Sequence, residues 1–215
     1  MPQKIIALTF DDGPHPETTL PLLDILAENR VCASFFVVGE NLTPETVPFT
    51  RRAFDMGCEI CSHSLTHSDM TAFTPAQIRQ EMDETARRIA RVTGQPPRFF
   101  RPPYIAVNET MWQTIPLPFI AGYGVRDFDD AVSEDARVAG VLQKARDGAV
   151  ILLHDAEENF KTVGAVRRLI PLLRAEGYAF VTVSQLFASR GIQPAHRILY
   201  SHAAQTTLYA EDADE

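Results

Sequence analysis

IIALTFDDGP, residues 5–14, holds a contradiction that decides the fold. Ile5-Ile6-Ala7-Leu8-Thr9-Phe10 is an apolar run of the kind that fills a strand buried on both faces, as in a parallel sheet. It then delivers two adjacent carboxylates, Asp11 and Asp12, into a Gly13-Pro14 turn. Two touching negative charges at the end of a core strand repel each other and resist burial, so they point to chemistry rather than packing.

Further short apolar runs follow at 33–38, 59–62, 98–101, 119–125, 149–153 and 178–183, making seven with the first. Helix-periodic stretches separate them. Thr74-Pro75-Ala76-Gln77 has the form of an N-cap, a Pro in the first turn and a capping-box Gln, opening a helix towards Val92. Thr162 to Glu176 carries Val163, Val166, Leu169, Ile170 and Leu173 on one face, with Gly177 as its stop and a kink expected at Pro171. Strands alternating with helices imply an α/β fold with a parallel sheet, closed or doubly wound, whose functional residues stand where strands end. Five such ends carry ionisable groups: Asp11-Asp12, His63 to His67, Arg101 to Tyr104, Asp127 with Asp129, and His154-Asp155.

The chain of 215 residues has no Gly/Ser linker, repeat or low-complexity tract, so one domain is expected. A formal net charge of -8 argues against a nucleic-acid surface. Part of that charge is the tail Glu211 to Glu215, expected to be frayed. No run is long and apolar enough to predict an integral membrane segment. No cationic, apolar leader is visible, so the chain as written reads as cytoplasmic, and as periplasmic or secreted if a leader was trimmed. Cys32, Cys58 and Cys61 cannot all pair within the chain, and Cys58-x-x-Cys61 reads as buried thiols rather than a metal or redox pair.

His63 and His67, four apart on one turn, have transition-metal spacing, and Asp12 from another strand end would complete a set of two histidines and one carboxylate. The bland alternative is a polar loop bonded to itself. Neighbouring residues leaving a strand point in different directions, so one aspartate can hold the metal while the other faces the attacking water. His154 ends an apolar strand, where a satisfied core histidine is the common meaning, yet a hydrolase also needs a proton donor opposite its base. Arg101 could charge-balance an aspartate.

Thr9-Phe10-Asp11-Asp12-Gly13-Pro14, His63-Ser64-Leu65-Thr66-His67, Arg101-Pro102-Pro103-Tyr104 and Leu152-Leu153-His154 resemble, in order, the motifs of carbohydrate esterase family 4, the polysaccharide deacetylases. Their shared module is the NodB homology domain. The resemblance runs from about Lys4 to Arg190, so residues 1–190 are expected to form that domain and 191–215 a C-terminal extension. It implies a deformed (β/α) barrel of about seven parallel strands. It implies a divalent metal, commonly zinc, on Asp12, His63 and His67, with Asp11 as base and His154 as acid. Arg101 matches the arginine that steadies the base, and the Tyr104 amide matches the oxyanion donor. Leu152 matches the leucine of the acetate-methyl pocket, and Tyr104 and Pro103 are expected to face substrate with it. The family's aspartate that positions the catalytic histidine is best matched by Asp129, with Asp127 second. The tryptophan that follows it in the family is missing, and Trp112, on an apparent helix, is expected to pack.

The expected activity is removal of N-acetyl groups from amino sugars, in chitin oligomers or peptidoglycan, with N-acetylglucosamine units as the substrate partner. The same site could act on an O-acetyl ester, as in xylan, or on a formamide of a lipid-linked sugar. A carbohydrate-binding module needs neither Asp11 nor His154, and a phosphate-binding α/β protein would show a Gly-rich loop that is missing here.

Overall fold

The computed structural model describes residues 4–208. The acidic tail Glu211 to Glu215 lies outside them. The first half runs β1 (Lys4–Asp11), α1 (Pro16–Asn29), β2 (Ser34–Val37), α2 (Val47–Asp55), β3 (Glu59–Ser62), α3 (Pro75–Thr93) and α4 (Glu109–Thr114). The second runs β4 (Phe119–Ile120), β5 (Tyr123–Gly124), α5 (Glu134–Lys144), β6 (Ala149–His154), α6 (Phe160–Ala175), β7 (Tyr178–Phe180), α7 (Val183–Ser189) and β8 (Leu199–Tyr200). All the strand pairings between these elements are parallel, as strand-helix alternation requires.

β1 is the central stave. It pairs with β6 along Ile6 to Asp11, with β7 at its start and with β2 at its end. The wall continues from β2 to β3, then through single-residue bridges of Phe100 with Ser62 and with Phe119, then to β4 and β8. It returns to β6 where Val150 N-H donates to the Ser201 carbonyl and Ala149 bridges His202. The result is a deformed α/β barrel, a single domain. Leu8, Phe10, Ile151 and Leu153 pack with Leu22, Leu26, Leu169 and Leu173 of the helices, and Ala7, Phe36, Val150, Phe187 and Tyr200 form a second apolar cluster. At about 1.5–3 kcal/mol for each fully buried large apolar side chain, these layers make the wall stiff enough to hold charges at its rim.

Two sequence-based expectations change. The run at 98–101 makes only the Phe100 bridges, because Pro96-Pro97 and Pro102-Pro103 on either side have no N-H to donate to a ladder. The run at 119–125 breaks into β4 and β5 at Gly122, whose φ of 94° suits glycine. α6 runs from Phe160 to Ala175 with Pro171 in its interior. Past residue 190, Leu199, Tyr200, Ser201 and Ala203 are buried, and that segment supplies a stave of the wall. α3 opens with the expected Thr74–Gln77 capping box and closes on Gly94 at φ 82°. No helix among the described residues is long and apolar enough to cross a membrane.

Candidate active site

The barrel's parallel register decides which residues meet. In the β1–β6 ladder Asp11 stands opposite His154, so two strand ends deliver a carboxylate and an imidazole side by side. β3 ends one residue before His63, and Arg101 N-H donates to the Ser62 carbonyl (3.0 Å), which brings the arginine to the same rim.

Asp12 leaves β1 with a left-handed backbone, φ 71°, which turns its side chain away from that of Asp11. Its Oδ1 lies 3.1 Å from His67 Nε2 and 3.4 Å from His63 Nε2, and one ligand atom from each of the three residues lies within 4.8 Å of the others. His63 is buried, and its Nδ1 meets the Arg101 carbonyl at 2.7 Å. A carbonyl can only accept, so Nδ1 carries a proton, and Nε2 is the nitrogen that His63 turns to Asp12. Burial alone would raise the Asp12 carboxyl, but His63 and His67 beside it hold it well below the usual carboxylate range. Asp12 Oδ1 is also buried without a hydrogen-bond partner among the described residues. A carboxylate with an unpartnered oxygen, facing two imidazole Nε2 atoms, is a donor set that a divalent cation fits.

A residue that the sequence reading passed over holds this loop in shape. Glu81, buried on α3, accepts Leu65 N-H (2.8 Å) and Thr66 N-H (3.0 Å) through Oε2 and the Thr66 hydroxyl (3.1 Å) through Oε1. It thereby braces the turn between the two histidines. Groups that orient ligands in this way are worth about 10–100-fold in metal affinity. Glu81→Ala is therefore expected to weaken divalent-cation binding by about that factor in a competition titration, with His63 and His67 intact.

Asp11 sits apart from this set. It is 1% exposed, and its Oδ1 accepts from Nη1 of Arg101, itself 0% exposed. The guanidinium lies over Phe36 (4.1 Å to the centroid), and its Nε donates to the Ile120 carbonyl (3.3 Å). A buried charge pair of this kind fixes the carboxylate's position.

On the opposite flank His154 Nδ1 is 2.8 Å from Asp127 Oδ1. Asp127 Oδ2 accepts His154 N-H (2.8 Å) and the Thr162 hydroxyl (2.7 Å). Burial on its own would lower the His154 imidazole, yet Asp127 outweighs it, helped by Asp11 and Asp12, and lifts it to about 9. This corrects the choice of Asp129. That side chain faces outward, accepting from Arg126 Nη2 (3.0 Å) and Ala131 N-H (2.9 Å) to close a surface turn. Next to His154, burial pushes the Asp155 carboxyl up to about 7.

These groups open on a cleft of about 680 Å³ lined by Asp11, Asp12, His63, His67, His154, Leu152, Gly122, Tyr104 and others. Tyr104, 63% exposed, sets its ring edge-on to His67 at 4.8 Å. Its backbone, at φ 57°, lies in the first turn of a short 3-10 helix, where N-H groups have no partner in the helix itself. Leu152 and Gly122 meet at the inner wall, where a Cβ on Gly122 would come within 3.0 Å of Leu152 Cβ. Pro103 is buried and does not line the cleft; the tight turn over 103–105 presents Pro102, Tyr104 and Ile105 instead. Phe128, 65% exposed, stands edge-on to His154 at 5.6 Å, in the stretch where the tryptophan is missing. Trp112 packs on Phe119, with centroids 4.0 Å apart. Cys58 and Cys61 lie in different apolar clusters, and burial pushes the Cys58 thiol up to about 12 and Cys61 well above its ordinary value, so neither is a nucleophile.

A carboxylate held by arginine, an imidazole held by aspartate and a cation-fitting triad between them, all at strand ends of one barrel, define a hydrolase-type centre. The family model described as polysaccharide deacetylase matches residues 1–116, and the chain belongs to that family, carbohydrate esterase family 4. A bifunctional xylanase/deacetylase of Pseudobutyrivibrio xylanivorans is 48% identical over 192 residues, 89% of this chain and 32% of that protein. The chain thus spans about a third of that relative. Among solved structures, the Xyl-CE4 domain of a multidomain xylanase from the hindgut metagenome of Trinervitermes trinervoides aligns with a TM-score of 0.92 at 46% identity, covering 94% of this chain and 98% of that one. A family 4 acetyl xylan esterase from Clostridium thermocellum, in complex with a cobalt ion, aligns with a TM-score of 0.91 at 36% identity, covering 94% and 100%.

Proposed function

We propose that this chain is a divalent-metal-dependent deacetylase of acetylated polysaccharides, acting on O-acetyl esters of a xylan-type chain. The observation that carries the reading is the Asp11–His154 pair, register partners on β1 and β6, next to the Asp12–His63–His67 cluster. The ester stands ahead of the N-acetyl amide because both solved relatives described above and the bifunctional protein are named for xylan.

Asp12, His63 and His67 hold the cation, and zinc suits two imidazoles and a carboxylate. When bound, it supplies a Lewis acid for the acetyl carbonyl and lowers the pKa of the attacking water. Asp11, held in place by Arg101, takes the proton from that water. The Tyr104 N-H donates to the oxygen on which negative charge develops. Leu152 and Gly122 wall the acetyl methyl, and a side chain at position 122 would press on Leu152. His154, protonated at neutral pH, hands a proton to the departing sugar oxygen, and Asp127 stabilises it in that charged form. Phe128 and Tyr104 offer exposed ring faces beside the two histidine flanks for the sugar.

One observation favours the amide as a second reading. A nitrogen leaving group cannot depart as an anion, and His154 lifted to about 9 is an acid that stays charged at neutral pH. The test is acetate release by chelated protein from acetylated xylan and from N-acetylglucosamine oligomers, before and after one equivalent of zinc. Release from xylan only on zinc addition is expected. Release from the oligomers alone moves the reading to the amide, and release from neither, with zinc bound, removes both.

A further inference from the structure

Asp155 takes no part in the steps above and does not line the cleft, yet its carboxyl is buried against the turn that carries both working aspartates. It is 2% exposed. Its N-H donates to the Asp11 carbonyl (3.0 Å), and its carbonyl accepts the Thr18 hydroxyl (2.7 Å). Oδ2 accepts from the Thr19 hydroxyl, whose oxygen in turn accepts His15 N-H (2.8 Å). Oδ1 has no hydrogen-bond partner among the described residues. Between these anchor points lies Gly13: a Cβ there would come within 2.3 Å of Asp155 Oδ2 and 2.5 Å of both Cγ and Oδ1. The carboxyl therefore fills the space that a side chain at position 13 would need. Gly13 does not have a left-handed backbone, so this contact, not its φ, is what demands glycine.

We propose that Asp155 is a positioning residue: it locks the Asp11–Asp12–Gly13 turn at the end of β1 to His154 at the end of β6, and so sets where base, metal ligand and acid stand relative to one another. One residue reaches the turn at Asp11, at Gly13 and, through Thr19, at His15. Being the residue after His154, it couples any shift of the turn to the acid. The role rests on the deacetylase reading for its effect on turnover, whereas its effect on the metal set does not.

The test is a double-mutant cycle of Gly13→Ala and Asp155→Ala, with Asp155→Asn as the conservative variant. Four readouts are taken on each folded protein: kcat and KM for the acetylated substrate, zinc affinity by competition, the visible spectrum of the cobalt-loaded protein, and the unfolding midpoint. Asp155→Ala is expected to lower kcat and zinc affinity by about 10–100-fold, with KM little changed and an altered cobalt spectrum. Asp155→Asn keeps shape and an acceptor for Thr19, and is expected to restore zinc affinity and spectrum to near those of the unmodified protein. Gly13→Ala alone forces the clash, and removing the carboxyl relieves it. The double variant is thus expected to be less impaired than the product of the singles.

Wild-type zinc affinity and spectrum in Asp155→Ala, with only a lower unfolding midpoint, would overturn the proposal, as would an additive cycle. Should Asp155→Ala not fold, Asp155→Ser takes its place in the cycle. If the zinc-loaded unmodified protein releases no acetate, the deacetylase reading fails, and zinc affinity and spectrum still decide the positioning role.

Discussion

Asp11→Asn is expected to lower acetate release by about 10²–10⁴-fold, the usual worth of a positioned general base, while zinc affinity changes little. The separation of the two readouts follows from the geometry. Asp11 Oδ1 belongs to Arg101, and its Oδ2 is 3.8 Å from His63 Nε2, whereas Asp12 Oδ1 is 3.4 Å from that nitrogen and 3.1 Å from His67 Nε2. Asparagine keeps an oxygen for the guanidinium and nearly the same volume, but it cannot take a proton from water. It also leaves Arg101, 0% exposed, facing a neutral partner. Breaking a buried pair costs about 3–5 kcal/mol when one charge is removed outright, so the variant is also expected to unfold at lower temperature. Acetate release must therefore be normalised to folded protein and set beside a zinc competition titration. Loss of zinc with turnover would mean that Asp11 and Asp12 have exchanged roles.

The same geometry explains what could be read from the chain alone. Asp11 and Asp12 were legible because six apolar or β-branched residues lead into them, and no packing argument accounts for charge at that point. His63 and His67 were legible from spacing, Arg101 and His154 from ending apolar runs. The partner of His154 was not: Asp127, Asp129 and Asp130 crowd one turn, and which of them faces inward depends on left-handed Arg126 (φ 53°), not on a strand's alternation. Glu81 was hidden for a different reason. An acid on a helix reads as a solvated face, and only the tertiary contact of α3 with the histidine loop gives it a job. The stave at Leu199–Tyr200 was missed because a two-residue strand after a run of turns has no periodicity to detect.

The second large effect concerns the acid. Asp127→Asn is expected to lower acetate release at pH 8 by about 10²-fold or more and to move the alkaline limb of the kcat/KM profile to lower pH. His154 is lifted to about 9 against a burial effect that alone would push it down, and Asp127 at 2.8 Å is the largest upward influence. Without that carboxylate the imidazole loses its proton earlier and ceases to be an acid where the unmodified enzyme still has one. Asparagine can still accept His154 N-H and the Thr162 hydroxyl, so the side chain's placement survives while its charge does not. Stability gives an independent check with a definite sign. The folded-state value of His154 lies above its ordinary 6.5, so its contribution is fully present below about 6.5 and is lost as pH rises through about 9. The unmodified protein should therefore lose unfolding free energy across that window by urea titration, and Asp127→Asn should lose less. An unchanged alkaline limb in the variant would show that His154 does not supply the proton. An unchanged pH dependence of stability would show that Asp127 does not hold its charge.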